Sequence, residues 1–330
     1  MIKLIKKITK CPAISGRERA VAEVIREEIT PYADKVYYDA LGNLIAFKAG
    51  SLPDGERKKF MFAGHMDEIG FIVTYIEDNG FVRFTTIGGI SFASAAFTHV
   101  IFENGVRGVL VPEDGVGPND YRADKFVVDL GTTTKKESER KIKIGDFFVV
   151  VPDVVKLAGT RLAGRPFDDR IGCVVMIETA MRVPAPAHDV YYVFTVQEEV
   201  GCRGARTAAF AIAPDFAIAY DVTRTGDAQS SKPMAVKLGG GAAIKILDSS
   251  VICDPDLVQT LKSIAQKNKI PHQLEILTAG GTDTSAMQSA GSGAKAAALS
   301  IPSRYIHSTV ESIDIKDVQA CIDISCELVR

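Results

Sequence analysis

Two adjacent carboxylates, Glu198 and Glu199, stand in F-T-V-Q-E-E-V-G-C-R-G, where the apolar run from Val190 to Val196 stops just short of a glycine. Neighbouring carboxylates repel, and both want water or a cation. A solvated turn meets that demand. So does a metal ion that absorbs one charge while the other group handles a proton. More acids and histidines fall where strand-like runs end: His65, Asp67 and Glu68; Asp168 and Asp169; Asp221; and His307. The chain has five histidines, the others being His99, His188 and His272. Bland roles exist for several of these residues. Asp168 and Asp169 suit a helix cap, and His307, beside Ser308 and Thr309, suits a hydrogen-bonding loop. Asp221 is less ordinary, because it truncates the apolar Ala-Ile-Ala-Tyr.

Two histidines with several carboxylates make a donor set for a first-row divalent metal such as zinc, cobalt or manganese. The acids are numerous enough for two metals, about 3.5–4 Å apart and sharing an activated water. Such a centre needs one bridging carboxylate, terminal ligands on each metal and one carboxylate kept free as a base. The Glu198–Glu199 pair then has a purpose: one ligates and the other takes the proton of the water.

These residues converge only if the elements that carry them end together. In an open α/β sheet, ligands bind beyond the carboxyl ends of the strands. Lys59–Ala63 reads as a short apolar strand that runs into His65, and Val190–Val196 and Phe216–Tyr220 read as buried strands that run into the glutamates and Asp221. Helical spacing is predicted over 169–180, 205–211, 255–269 and 315–328, with further strands over 273–277 and 295–300. Ser15 to Glu18 reads as a capping box that opens a helix reaching Ile29. Between Ile69 and Val155 the texture changes to short strands, with hairpin turns at Asn79-Gly80 and Asn104-Gly105. The fold class expected is α/β, a mostly parallel sheet flanked by helices, with an inserted small β-barrel-like domain. Residues 1–68 and 156–330 would form the catalytic domain and 69–155 the insertion; two contiguous domains cut near 155 are the alternative.

Composition bounds the rest. The chain has 330 residues, 46% of them apolar, with 39 Lys plus Arg against 41 Asp plus Glu and a formal charge of -2. That balance calls for no nucleic acid and no acidic membrane as partner. Ile2, Ile5 and Ile8 lie on a helical spacing among lysines, but no apolar h-region or cleavage site follows, so the segment reads as the first amphipathic helix. No run is long enough to span a bilayer. Six cysteines are scattered without a CxxC, which reads as reduced thiols in a cytoplasmic protein. The glycine-rich loops at 239–241 and 279–283 fit neither a P-loop nor a dinucleotide fingerprint.

Six stretches occur in order: G-H-M-D-E-I-G at 64–70, R-P-F-D-D-R-I-G at 165–172, V-Q-E-E-V-G at 196–201, A-Y-D-V-T at 219–223, G-G-T-D at 280–283 and R-Y-I-H-S-T-V-E at 304–311. Together they resemble a family of cobalt- or zinc-dependent aminopeptidases that assemble as hollow tetrahedral dodecamers. Some members are named glutamyl aminopeptidase, and some carry an old endoglucanase label. The resemblance implies a zinc-peptidase-like catalytic domain that holds two divalent metal ions. It implies His65 and Asp221 as terminal ligands of the first metal, Asp168 as the bridge, and Glu199 and His307 on the second. Glu198 resembles the general base, and Asp67 the carboxylate that orients His65. The family often has A-L-D where this chain has Phe167-Asp168 after Arg165-Pro166, a departure that reshapes the pocket wall and keeps the acid. The insertion resembles a dimerisation domain, whose dimers join into a twelve-subunit shell that admits short peptides with a free N-terminus. Gly280–Thr282 would line the exit side of the site.

Two other classes use some of the same residues. A glycoside hydrolase needs two carboxylates and no metal. A non-catalytic scaffold would bind peptides or RNA through the small β domain, without metal uptake. The first side chain of a peptide substrate is left open: Arg224, Lys232 or Lys237 would favour an acid, Asp227 a base, and the apolar, glycine-rich stretch 238–244 a neutral residue. The reading favours neutral or aliphatic residues.

Overall fold

In the computed structural model, which describes residues 1–229 and 231–330, the first helix α1 (Ile2–Thr9) buries Ile5 and Ile8 and leaves its lysines to water. Helix α2 (Arg19–Ile29) buries Val21, Ala22, Ile25 and Ile29, the stripe that a period of 3.6 dictates. The capping box expected at Ser15–Glu18 does not form, since α2 begins only at Arg19 with no side-chain cap. Ser15 Oγ instead donates to Asp67 Oδ2 at 2.6 Å, and the Glu18 carboxylate accepts the N–H of Gly16 and of the distant Gln197. Long-range hydrogen-bond partners, an acceptor for Ser15 and a donor for Glu18, have outcompeted the local cap.

A hairpin of β1 (Lys35–Tyr38) and β2 (Leu44–Lys48) leads to β3 (Lys59–His65), of which all but Lys59 is buried. The chain then leaves the sheet. Strands β4 (Gly70–Ile76) and β5 (Val82–Ile87), helix α3 (Phe92–Ala95), β6 (Thr98–Phe102), β7 (Arg107–Pro112), β8 (Phe126–Asp129), helix α4 (Lys135–Glu139) and β9 (Phe147–Val150) follow. The six strands close into a barrel in the order β4-β5-β8-β7-β6-β9, antiparallel at every pair. Phe71, Phe84, Phe102, Phe126 and Phe148 fill it, with Phe71 stacked on Phe148 at 4.9 Å between centroids.

The remaining elements are β10 (Asp153–Lys156), β11 (Arg161–Arg165), α5 (Arg170–Arg182), β12 (Asp189–Thr195), α6 (Arg203–Ile212), β13 (Phe216–Thr223), β14 (Ala242–Leu247), α7 (Pro255–Lys267), β15 (His272–Ile276), α8 (Asp283–Gln288), β16 (Lys295–Arg304), β17 (Glu311–Asp314) and α9 (Ile315–Val329). They complete an eleven-stranded sheet in the order β1-β2-β12-β3-β13-β16-β17-β11-β10, with β14 on β16 and β15 on β14. Alternation along β3 sends Phe60 and Phe62 to one face and Met61 and Ala63 to the other. The first face packs on α1, α2, α5, α7 and α9, the second on α6 and α8.

The sheet is mixed, not mostly parallel. Its centre, β12-β3-β13-β16, is parallel. The flanking pairs β1–β2, β2–β12, β14–β16, β16–β17, β11–β17 and β10–β11 are antiparallel. Short connections such as those from β1 to β2 and β10 to β11 leave no room for the crossover that parallel pairing needs. Among the described residues, no helix is long and apolar enough to cross a membrane.

Candidate metal centre

Parallel strands in register bring their carboxyl ends to one edge. His65 closes β3 and pairs in register with Thr195, the last residue of β12, so Glu198 and Glu199 emerge just beyond it. Asp221 lies near the end of β13, level with Ser300 of β16. His307 follows β16, and Asp168 lies between β11 and α5. His65, Asp168, Glu198, Glu199, Asp221 and His307 meet here, whereas Glu68 pairs with Arg165 and Arg170.

Asp168 stands at the centre. Its Oδ1 lies 3.1 Å from His65 Nε2 and its Oδ2 lies 3.3 Å from His307 Nε2. Each oxygen therefore serves a different histidine, the disposition a bridging carboxylate requires. Two ligand clusters share it: His65, Asp168 and Asp221, and Asp168, Glu199 and His307, with donor atoms in each cluster within 4.8 Å of one another. His307 Nε2 is 3.4 Å from Glu199 Oε2. Glu198 Oε2 lies 3.9 Å from His65 Nε2.

Asp67 lies behind the ligands, fully buried. His65 Nδ1 is 2.9 Å from the Asp67 backbone carbonyl and 3.6 Å from its carboxylate. The carbonyl is thus the hydrogen-bond acceptor of the ring. The carboxylate accepts the Glu198 N–H at 3.1 Å, the Glu199 N–H at 3.2 Å and the Ser15 hydroxyl. It holds the paired glutamates by their backbone.

The electrostatics are those of a site short of positive charge. Burial pushes Asp221 and Glu198 well above the ordinary carboxylate range, with the charge of Asp168 adding to the effect on Asp221. Burial raises Glu199 too, against the hydrogen bond from His307. Asp168 goes the other way: burial opposes its charge, but hydrogen bonds from His307 and His65 outweigh burial and hold it below its usual value. Burial likewise disfavours the His307 cation, and the Asp168 and Glu199 acceptors overcome it, taking His307 to about 11. Glu199 Oε1 is buried with no hydrogen-bond partner. A divalent cation on each cluster would satisfy that oxygen and offset the crowded carboxylates, so the donor set fits a dinuclear centre.

Three supporting residues escaped the sequence reading. Glu311 accepts the N–H of Phe167 and of Asp168 and so fixes the backbone of Asp168. Arg165, buried, donates to Glu68 Oε2 at 3.2 Å, to the Ile69 carbonyl and to the carbonyl of Ser308, next to His307. Asp283, at the start of α8, accepts from Thr195 Oγ1 at 2.6 Å. All three fall inside stretches singled out in the sequence, Arg165 in R-P-F-D-D-R-I-G, Asp283 in G-G-T-D and Glu311 in R-Y-I-H-S-T-V-E, but nothing local marked what they contact. Of the adjacent pair, Asp169 is the one that caps α5, accepting the Gly172 N–H, and it also accepts the N–H of His65.

A cavity of about 340 Å³ opens over the ligands, lined by Glu198, Arg224, Leu277, Gly280, Gly281 and Ile306 among others. Thr282 is buried and caps α8. Asp227 pairs with Arg304 at 2.7 Å, and neither it nor Lys232 or Lys237 is among the described residues that line the cavity.

The sequence profile of the M42 glutamyl aminopeptidase family matches residues 42–324. The chain belongs to that family. Lysyl aminopeptidase of Pyrococcus furiosus is 36% identical over 342 residues, covering 99% of this chain and 96% of that one. The aminopeptidase APDkam598 of the archaeon Desulfurococcus kamchatkensis superposes with a TM-score of 0.95 at 36% identity, over 99% of this chain and 94% of that one. The Pyrococcus horikoshii TET1 peptidase, which can assemble into a tetrahedron or a large octahedral shell, gives a TM-score of 0.87 at 35% identity, over 99% and 98% of the two chains. This M42 protein is a metal-dependent aminopeptidase, a hydrolase with two ligand clusters built for metal. A glycoside hydrolase working through two bare carboxylates, or a scaffold, leaves two histidine–carboxylate clusters that share Asp168 without a purpose.

Proposed function

We propose that this chain removes N-terminal residues from short peptides with a free amino terminus, using a water activated between two divalent metals and Glu198 as general base. The observation that carries the reading is Asp168, one carboxylate shared between two histidine-containing clusters. His65 and Asp221 would hold the first metal, Glu199 and His307 the second, and Asp168 both. Zinc or cobalt suits these donors, and manganese is within their range. When bound, the pair supplies Lewis acidity to the scissile carbonyl and a water acidic enough to lose its proton near neutral pH.

The protein's own groups do the rest. Glu198, held by its N–H on Asp67, faces the ligands without being needed by either cluster. It takes the proton of the attacking water and returns it to the leaving amine. Among the described residues, Arg224 is the one arginine or lysine on the cavity wall. Leu277, Ile306 and Gly280–Gly281 are the uncharged part of the lining, beside Arg224 and the acids of the metal clusters, and they support neutral or aliphatic first residues.

Residues 1–68 and 156–330 form the catalytic part in this reading, and 69–155 an oligomerisation module. The barrel leaves Phe97 at 70% and Ile144 at 67% exposure, apolar surface suited to a second copy. Assembly of the P. horikoshii relative into shells supports a dimer that builds to a dodecamer. The six cysteines are free thiols, which supports a reducing compartment such as the cytoplasm. Nucleic acid and membrane have no part in the reading.

The test strips the protein with chelator and assays a panel of aminoacyl chromogenic amides with zinc, cobalt, manganese or no metal, beside N-acetylated controls. Restored cleavage of free amino-terminal substrates, with blocked ones untouched, is the expected result. Equal cleavage of blocked and free substrates would overturn the aminopeptidase assignment, and folded protein that takes up no metal would overturn the centre.

A further inference from the structure

Glu198 faces two ways. One oxygen, Oε2, looks toward His65; the other, Oε1, accepts from the thiol of Cys202 at 3.2 Å. Beside them lies Asp283, 3% exposed, whose Oδ2 is taken by Thr195 and whose Oδ1 is buried without any hydrogen-bond partner. Donor atoms of Glu198, Cys202 and Asp283 all lie within 4.8 Å of one another, a third cluster that shares no residue with the other two. Glu198 and Cys202 line the same cavity as the dinuclear ligands, so an ion that reaches one site reaches the other.

We propose that Glu198, Cys202 and Asp283 form a third cation site, selective for thiophilic divalent metals, whose occupation switches the enzyme off. The inference rests on Glu198 being the general base. Two ligands at Zn–S of about 2.3 Å and Zn–O of about 2.1 Å stand roughly 3.5 Å apart across a tetrahedral angle. The Sγ–Oε1 separation of 3.2 Å is close to that before any adjustment. Three protein ligands leave a fourth position for water. Binding forms a metal–sulfur bond and releases the Cys202 proton to solvent. It also takes the Glu198 carboxylate out of proton transfer.

Thiolate selects for soft cations: cadmium and excess zinc fit, whereas manganese and magnesium prefer oxygen donors. The same protein would therefore be activated by its first two metals and inhibited by a third, and the inhibitory ion would be chosen by sulfur.

The experiment loads the protein with two cobalt equivalents per subunit and titrates cadmium. Three quantities are read: the ultraviolet thiolate-to-cadmium charge-transfer band, bound metal per subunit after gel filtration, and hydrolysis of an aminoacyl amide. The dinuclear ligands contain no sulfur, so displacement there produces no such band. Cys11 is the other incompletely buried thiol, and Cys11→Ser serves as the control. The proposal expects a third equivalent, a band that survives Cys11→Ser and vanishes in Cys202→Ala, and turnover about 100-fold lower at saturation, as loss of a general base predicts. Each variant is compared with itself, with and without cadmium. Asp283→Asn should weaken cadmium binding while keeping the band at saturation. Absence of a third equivalent in the unsubstituted protein, or a band that persists in Cys202→Ala, overturns the proposal. If the chain hydrolysed no aminoacyl amide, the aminopeptidase mechanism would fall, whereas a Cys202-dependent band would still establish the site.

Discussion

Asp67 Oδ1 accepts the backbone N–H of Glu198 at 3.1 Å, and Oδ2 accepts that of Glu199 at 3.2 Å. One buried carboxylate thus sets the position of both neighbouring acids, the proposed base and a proposed metal ligand, from 131 residues away in sequence. Asp67→Ala should lower turnover and second-metal affinity together by about 10- to 100-fold, and Ser15→Ala, which removes only the hydroxyl on Oδ2, should do less. Steady-state kinetics with a metal-binding titration measure both. An Asp67→Ala protein with unaltered kcat would show that the glutamates hold their place without it.

Glu198→Gln keeps the shape of the side chain and removes the carboxylate proposed as the base. Turnover should fall at least ~100-fold while both metals remain bound. Undiminished turnover with two metals present would move the base elsewhere.

The shared ligand and the terminal ligand should differ in metal count. Asp168→Ala removes a donor from both clusters and should empty both; His307→Ala removes one from the second cluster only and should leave about one equivalent per subunit. Elemental analysis of purified protein decides. Equal metal content in the two variants would contradict a bridging role for Asp168.

Arg165 and Glu68 form a buried ion pair at 3.2 Å, and Arg165 also reaches the Ser308 carbonyl beside His307. Arg165→Met leaves Glu68 with only Arg170, at 3.4 Å. Unfolding in urea, with metal removed, should show a loss of at least about 3 kcal/mol. The double variant Arg165→Met/Glu68→Gln should recover part of it. A single variant as stable as the parent would show that Arg170 alone neutralises Glu68.

Asp317 offers a pH test remote from the metal ligands. Its carboxylate accepts the N–H of Gly239 and Gly241, and burial, opposed by those hydrogen bonds, raises it to about 7. In the unfolded chain an aspartate titrates near 3.9. Between those values the folded state keeps a proton that the unfolded state has lost. Unfolding then releases protons, and raising the pH favours it. The contribution to stability is therefore greatest below about 4 and declines as pH rises toward 7. Asp317→Asn, which cannot ionise, should flatten this part of the stability profile in denaturant melts from pH 4 to 8. An unaltered profile would mean that Asp317 titrates normally.

The sequence by itself determined which groups could do chemistry and where along the chain they fall. Apolar runs that meet acids or histidine, at His65, Glu198 and Asp221, are visible because a buried charge is costly unless something compensates it, though β13 runs on through Asp221 to Thr223 and does not stop there. The small β-rich insertion was legible in its short strands and in Asn79-Gly80 and Asn104-Gly105, since hairpin loops with a glycine at positive φ leave local signatures. Tertiary structure alone decided what these groups contact. Ser15 and Glu18 look like a local cap, yet their partners are Asp67 and Gln197. Glu311 steadies Asp168, and Arg165 links Glu68 to the Ser308 carbonyl, across separations of 97 to 143 residues that no periodicity encodes. The mixed sheet escaped for the same reason: the short strands β10, β11 and β17 carry too few residues for a pattern, and their pairing depends on which edges lie near. Residue type and spacing specify local geometry. A hydrogen bond or a metal ligand set between distant segments exists only once packing has brought them within a few ångströms.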